Sequence, residues 1–159
     1  MIRHFARQLA VQTLYQAEVG KLNEAEAVSN IEDMVKSMEE EAIGLVAEEI
    51  SPSELLHLEK QFQFDDFYYD LIQGVFKHRE ALDAFIEENI SGWSLNRLNK
   101  VDKAIFRLAA YEMMFETETA AEIVINEALE LTKSFSNADG KATAFNNKVL
   151  DQMHHSLKG

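Results

Sequence analysis

The stretch from Val101 to Phe135 constrains the fold more than any other. Val101, Ala104, Ile105, Leu108, Ala109 and Phe115 recur at steps of three and four residues, and Val124, Ile125, Ala128, Leu131, Thr132 and Phe135 follow the same rule. That spacing gathers each set on one side of an α-helix. Glu116-Thr117-Glu118-Thr119 breaks the pattern between them, and Thr119 is placed to cap the second helix. Two such helices on a short polar link are expected to pack antiparallel. The rest of the chain must then cover the faces they leave open.

The flanking segments carry the same period. Arg3 to Val19 puts Phe5, Ala6, Leu9, Ala10, Thr13, Leu14 and Ala17 on one face. His4, Gln8, Val11 and Tyr15 fall on the opposite strip, with Arg3 and Arg7 at its border. Gly20 reads as the stop of this helix and Asn23 as the cap of a long second one, with Ile31, Met34, Val35, Met38, Ala42, Leu45 and Val46 as its apolar side. Ser51-Pro52 marks the clearest boundary, with Ser51 as a cap and Pro52 in the first turn. Further helices are expected over 54–61, 67–77, 78–89 and 142–157. Trp93 in the turn Ser91-Gly92-Trp93-Ser94 is expected to plug a gap between helices, with a catalytic or stacking role as the alternative, and 136–140 has the composition of a tight turn. One proline and six glycines leave little punctuation for a β fold. The expectation is an all-α chain of about seven helices, and 159 residues suit one domain or two small halves sharing a core.

Charge is unevenly spread. The formal net charge is −13, and Glu18 to Glu59 alone holds twelve acids against two lysines. Met1 to Ala17 has no acid at all, while Arg3 and Arg7 are cationic. An anionic body repels nucleic acid on average, but this chain has a basic end. Without cysteine, neither a disulfide framework nor a thiolate metal site is possible. No apolar run approaches the ~18 residues of a membrane span, and the N-terminus lacks the apolar core of a signal peptide. A cytoplasmic protein is expected.

Motifs for catalysis are sparse. Glu54-Leu55-Leu56-His57 fits half of a di-iron Glu-x-x-His pattern, but the second pair is missing. Gly140-Lys141-Ala142 fails as a phosphate loop, since Phe135 stands where a glycine is needed and Ala142 where Ser/Thr is needed. Glu112 tilts toward the core of its helix and calls for a partner such as Arg107 or a helix N-terminus. No enzyme, no cofactor and no metal are expected.

Three blocks resemble the NusB family of transcription antitermination factors. The first is Arg3-x-x-x-Arg7 running into Ala10-Val11-Gln12-Thr13-Leu14-Tyr15. The second is Leu71-Ile72-Gln73-Gly74-Val75 with Leu82-Asp83. The third runs from Trp93 through Asp102–Glu112 and Val124-Ile125-Asn126-Glu127-Ala128 to Phe145-Asn146-Asn147-Lys148-Val149-Leu150-Asp151. The region from Glu26 to Gln61 matches poorly. The resemblance implies two small helical bundles, 1–78 and 79–159, packed into a single all-α domain. It implies a protein that binds boxA RNA of ribosomal RNA leader transcripts beside a NusE-type ribosomal protein, and so reaches the RNA polymerase elongation complex indirectly. It implies RNA contacts through Arg3, Arg7, Gln12, Phe145 and Lys148, and partner contacts through Tyr15 and Asp102.

This sequence departs from the family's pattern in three places. His4 and Phe5 stand where further arginines are common, the usual Phe-Val-Asn-Gly is Phe145-Asn146-Asn147-Lys148, and Ala120 replaces the proline common before the Val124-Ile125-Asn126-Glu127-Ala128 block. Weak RNA binding without the partner is therefore expected. The competing reading is a helical protein-protein adaptor that does not touch RNA. A ribosomal RNA methyltransferase module is a third setting for such a fold, but these 159 residues hold no cofactor-binding α/β segment.

Overall fold

Local capping chemistry sets several of the helix starts. In the computed structural model, which describes residues 1–136 and 140–159, the first helix, α1, spans Arg3–Gly20. Helix α2 (Glu24–Val46) starts at a reciprocal cap: the Glu26 N–H donates to Asn23 Oδ1 at 2.8 Å, and the Asn23 N–H donates to Glu26 Oε1 at 3.1 Å. Helix α3 (Pro52–Gln61) repeats the device with Ser51 and Glu54, and Pro52 stands in its first turn. Then follow α4 (Asp66–Lys77), α5 (Arg79–Glu88), a 3-10 turn (Leu95–Arg97), α6 (Lys100–Met114), α7 (Ala121–Ser136) and α8 (Lys141–Lys158). The all-α expectation holds, with eight α-helices and no strand among the described residues. The expected turn over 136–140 falls mainly outside them.

The chain divides into two compact units, Met1–Asp70 and Leu71–Gly159, with the boundary inside α4. In the first unit α1 packs along α2. Ala6, Leu9, Ala10, Leu14 and Ala17 of α1 are buried, as are Ala27, Ile31 and Val35 of α2. Thr13, grouped with the apolar face, is buried with its hydroxyl 2.6 Å from the Tyr68 hydroxyl, and it donates to the Leu9 carbonyl at 2.7 Å. Burial pushes the Tyr68 phenol up to about 12. The second half of α2 departs from expectation: Leu45 is 76% exposed and Met38 is exposed too. Ala42, Leu45 and Val46 there line an open cleft of about 630 Å³ with Ile50, His57 and Leu58.

Helix α6 is the axis of the second unit and packs against α5, α7 and α8. Periodicity predicts one apolar face, yet every residue from Asp102 to Ala110 is buried, and so is Glu112. A helix with neighbours on three sides has no solvent face left. Its cation Arg107 is held by Asp83 of α5 through two bonds, Nε–Oδ1 at 2.8 Å and Nη2–Oδ2 at 3.1 Å. Gly74 of α4 lies against α6 with no room to spare, because a methyl group there would overlap the Tyr111 ring. Thr119 does not cap α7. Its hydroxyl donates to Glu116 Oε2 at 3.0 Å, and α7 begins beyond Ala120.

Candidate nucleic-acid interface

In the first unit the basic N-terminus becomes a small cation–aromatic cluster. The guanidinium carbons of Arg3 and Arg7 lie 4.5 and 5.0 Å from the centre of the Phe67 ring. Arg3 is exposed, but Arg7 is only 3% exposed. Placing Arg7 at the border of a solvent-facing strip was therefore wrong in geometry, as was placing Val11 on that strip, since Val11 is buried too. Their strip turns inward at one edge because α1 is covered on more than the face its apolar period marks. Gln12 is half-buried, and Tyr15 is exposed at 39%.

In the second unit the start of α8 is locked by a polar hub. Asn146 is fully buried and donates through Nδ2 to Asp102 Oδ1 at 3.2 Å and to Thr132 Oγ1 at 2.9 Å. The Thr132 hydroxyl donates in turn to the Ala128 carbonyl at 2.9 Å. The Asp102 backbone N–H donates to Asn99 Oδ1 at 2.7 Å, which caps α6. Asp102 is 7% exposed, and burial holds its carboxyl above the usual carboxylate range. Asn146 thus ties α6, α7 and α8 together, and Asp102 serves as its α6 anchor instead of presenting a carboxylate to solvent.

The hub fixes the outward side of α8. Lys141, Phe145 and Lys148 stand at four- and three-residue steps and so share one face. Lys141 and Lys148 are exposed. The half-buried Phe145 ring meets the fully buried Phe106 ring edge-on at 6.5 Å and the Trp93 ring edge-on at 6.1 Å. Trp93 is 50% exposed, so it does not plug a gap as its size suggested. The sequence offers a stacking role for Trp93 only as the alternative to filling a gap, and the candidate site residues do not include it. The available signal was a large aromatic set in a Ser/Gly turn, where little stands ready to cover it.

Other candidates disperse. Glu54 and His57 are both exposed on α3, and no group of three or more metal-ligating side chains occurs among the described residues. No helix there is long and apolar enough to cross a membrane.

Fold and surface together define a small all-α protein of two helical units, with an aromatic and cationic face on its last helix. Residues 4–155 match the model of the NusB family. The transcription antitermination protein NusB of Bacillus pumilus (strain SAFR-032) is 32% identical over 158 residues, spanning 99% of this chain and 98% of that protein. The chain belongs to the NusB family. Among solved structures, antitermination factors NusB and NusE in complex with double-stranded RNA match it with a TM-score of 0.69, at 24% identity, over 98% of this chain and 99% of that one. NusB of T. maritima matches with a TM-score of 0.68, at 23% identity, over 98% of this chain and 92% of that one. These two likenesses bear on the fold.

Proposed function

We propose that this protein is a transcription antitermination factor that binds boxA-type RNA of ribosomal RNA leader transcripts together with a NusE-type ribosomal protein. It reaches the RNA polymerase elongation complex indirectly, through those two partners. The observation that carries this reading is the match to the NusB family along residues 4–155, with a NusB relative of nearly equal length. The solved complex of NusB with NusE and double-stranded RNA supports the choice of partners. The protein works in the cytoplasm, where transcripts are made, and its role is binding without catalysis. The helical bundles 1–78 and 79–159 serve as one NusB-like domain.

The RNA-facing set comprises Arg3, Arg7, Gln12, Phe145 and Lys148. Exposed Arg3 and Lys148 supply charge for phosphates, and Phe145 supplies a flat ring. Arg7 acts from beneath, by holding the Phe67 ring on which Arg3 rests. Exposed Tyr15 contacts the ribosomal partner, and Asp102 contributes by orienting the start of α8. An acidic body suits a basic ribosomal protein. The adaptor reading draws on a different observation, the thin cationic complement of a chain at −13 with Arg7 buried.

Anisotropy of a labelled boxA RNA, with and without the NusE-type protein across 50–300 mM salt, separates the two. Binding by the chain alone is expected to be weak and to tighten at least tenfold with the partner. The slope of log K against log salt should flatten by roughly 1.4 on Arg3→Ala plus Lys148→Ala, at about 0.7 per lost single-strand phosphate contact. A slope and affinity untouched by both substitutions would favour the adaptor.

A further inference from the structure

We propose that Trp93 is a stacking platform for an unpaired nucleobase of the bound RNA, a role that rests on the RNA-binding reading above. The first reason is exposure without looseness. Ile90, Leu95 and Leu98 are buried on either side of the exposed residues Ser91–Ser94. The Leu95 N–H donates to Glu87 Oε1 at 3.1 Å. Asn89 donates to the Phe85 carbonyl at 2.8 Å and accepts from the Ser156 hydroxyl of α8 at 2.6 Å. The Trp93 N–H closes a turn onto the Ile90 carbonyl at 3.2 Å, with Gly92 in the left-handed region at φ 78°. The indole is therefore displayed by a loop whose backbone is pinned, which lowers the cost of ordering it when a ligand arrives.

The second reason is the surroundings. An edge-on contact with Phe145 occupies at most one face of the indole and leaves π-surface open. Phe145 leans in turn on buried Phe106, so the pair is anchored to the core. Asn89 to Val101 contains no acid but has Arg97 and Lys100, and Gly140 to Leu150 contains no acid but has Lys141 and Lys148. Two acid-free, cationic segments thus meet at the Trp93–Phe145 contact in a chain of net charge −13. An open aromatic face at the junction of two acid-free segments that carry cations fits a base on a phosphate backbone. An apolar protein side chain would draw no benefit from the cations.

The test uses a property of the sequence: Trp93 is the only tryptophan. Unlabelled single-stranded boxA RNA is titrated into the full chain at low salt, with a tryptophan-free NusE-type protein present, and indole emission is followed. Anisotropy of the same RNA with a fluorescent label gives the affinity independently. Emission is expected to fall by about half or more, along the same binding curve. Trp93→Leu, which keeps apolar bulk without a π-face, should weaken binding about tenfold or more, within the range for loss of one base–aromatic stack. Trp93→Phe should retain most of the affinity. Neither variant should change the salt slope, because no phosphate contact is lost. Circular dichroism confirms that each variant is folded. Binding by anisotropy with unchanged emission, and with Trp93→Leu within twofold of the wild type, would overturn the platform and leave the RNA-binding reading standing. An RNA that fails to bind under these conditions would overturn both.

Discussion

Burial raises the Asp102 carboxyl, and its polar contacts with Asn146 and Asn99 only partly oppose that shift. The folded state therefore holds the Asp102 proton at pH values where the unfolded chain has already released it. Stability from this group is full below the ordinary carboxylate pKa of about 3.9 and declines as pH rises through the raised value. Asp102→Asn keeps the shape and an acceptor for Asn146 but removes the titration. Urea unfolding from pH 4 to 7 should show the variant gaining on the wild type as pH increases. A gap that stays constant over that range would mean that the carboxyl is not perturbed. Asn146 shows the other side of the same hub. Its Oδ1 is buried without a hydrogen-bond donor, a cost that an apolar residue would avoid. Reading the sequence alone, Asn146 was a departure from a family pattern. In the fold it is the group that meets Asp102 and Thr132.

The end of α1 shows how an element is finished. Gly20 is the last residue of α1, as the sequence predicts, and the residue in the left-handed conformation is the next one, Lys21, at φ 52° and ψ 44°. The Leu22 N–H reaches back to the Ala17 carbonyl at 2.9 Å, and a Cβ on Gly20 would stand 3.2 Å from Leu22 Cγ. Glycine is used one position early, to let Leu22 fold over the last turn, and Lys21 bears the strain. Lys21→Gly should therefore stabilise the protein by about 1 kcal/mol, a rise in melting temperature of roughly 2–4 °C for a chain of this size. No gain would mean that the lysine side chain compensates for its backbone. Helix existence and most starts were legible because caps such as Asn23 with Glu26 and Ser51 with Glu54 are local chemistry. Burial was less legible. A 3.6-residue period marks the most apolar side of a helix but not how many neighbours it has. It thus understated α6, buried nearly all round, and overstated the second half of α2, where Leu45 stands in solvent.

On the scale of the whole molecule added salt acts on folding and on RNA binding in opposite senses. The candidate site was partly legible because charge is a linear record: the acid-free windows containing Arg3, Arg97 and Lys148 can be counted along the chain. What the record lacks is depth: Arg7 and Asp102, both candidates for binding, are buried, and Trp93, expected to plug a gap, is half exposed. Self-repulsion at −13 destabilises the folded state, most of all around the exposed acids Glu40 and Glu41 of α2. Salt screens that repulsion, with a Debye length falling from about 30 Å at 0.01 M to about 8 Å at 0.15 M. The melting temperature should therefore rise by a few degrees between 10 and 200 mM sodium chloride, for a gain of about 1 kcal/mol. Over the same range RNA affinity should fall, because counterion release weakens. Glu40→Lys with Glu41→Lys should raise the low-salt melting temperature and flatten its dependence on salt. A melting temperature indifferent to salt in both proteins would show that the acids of α2 are too well solvated to repel one another.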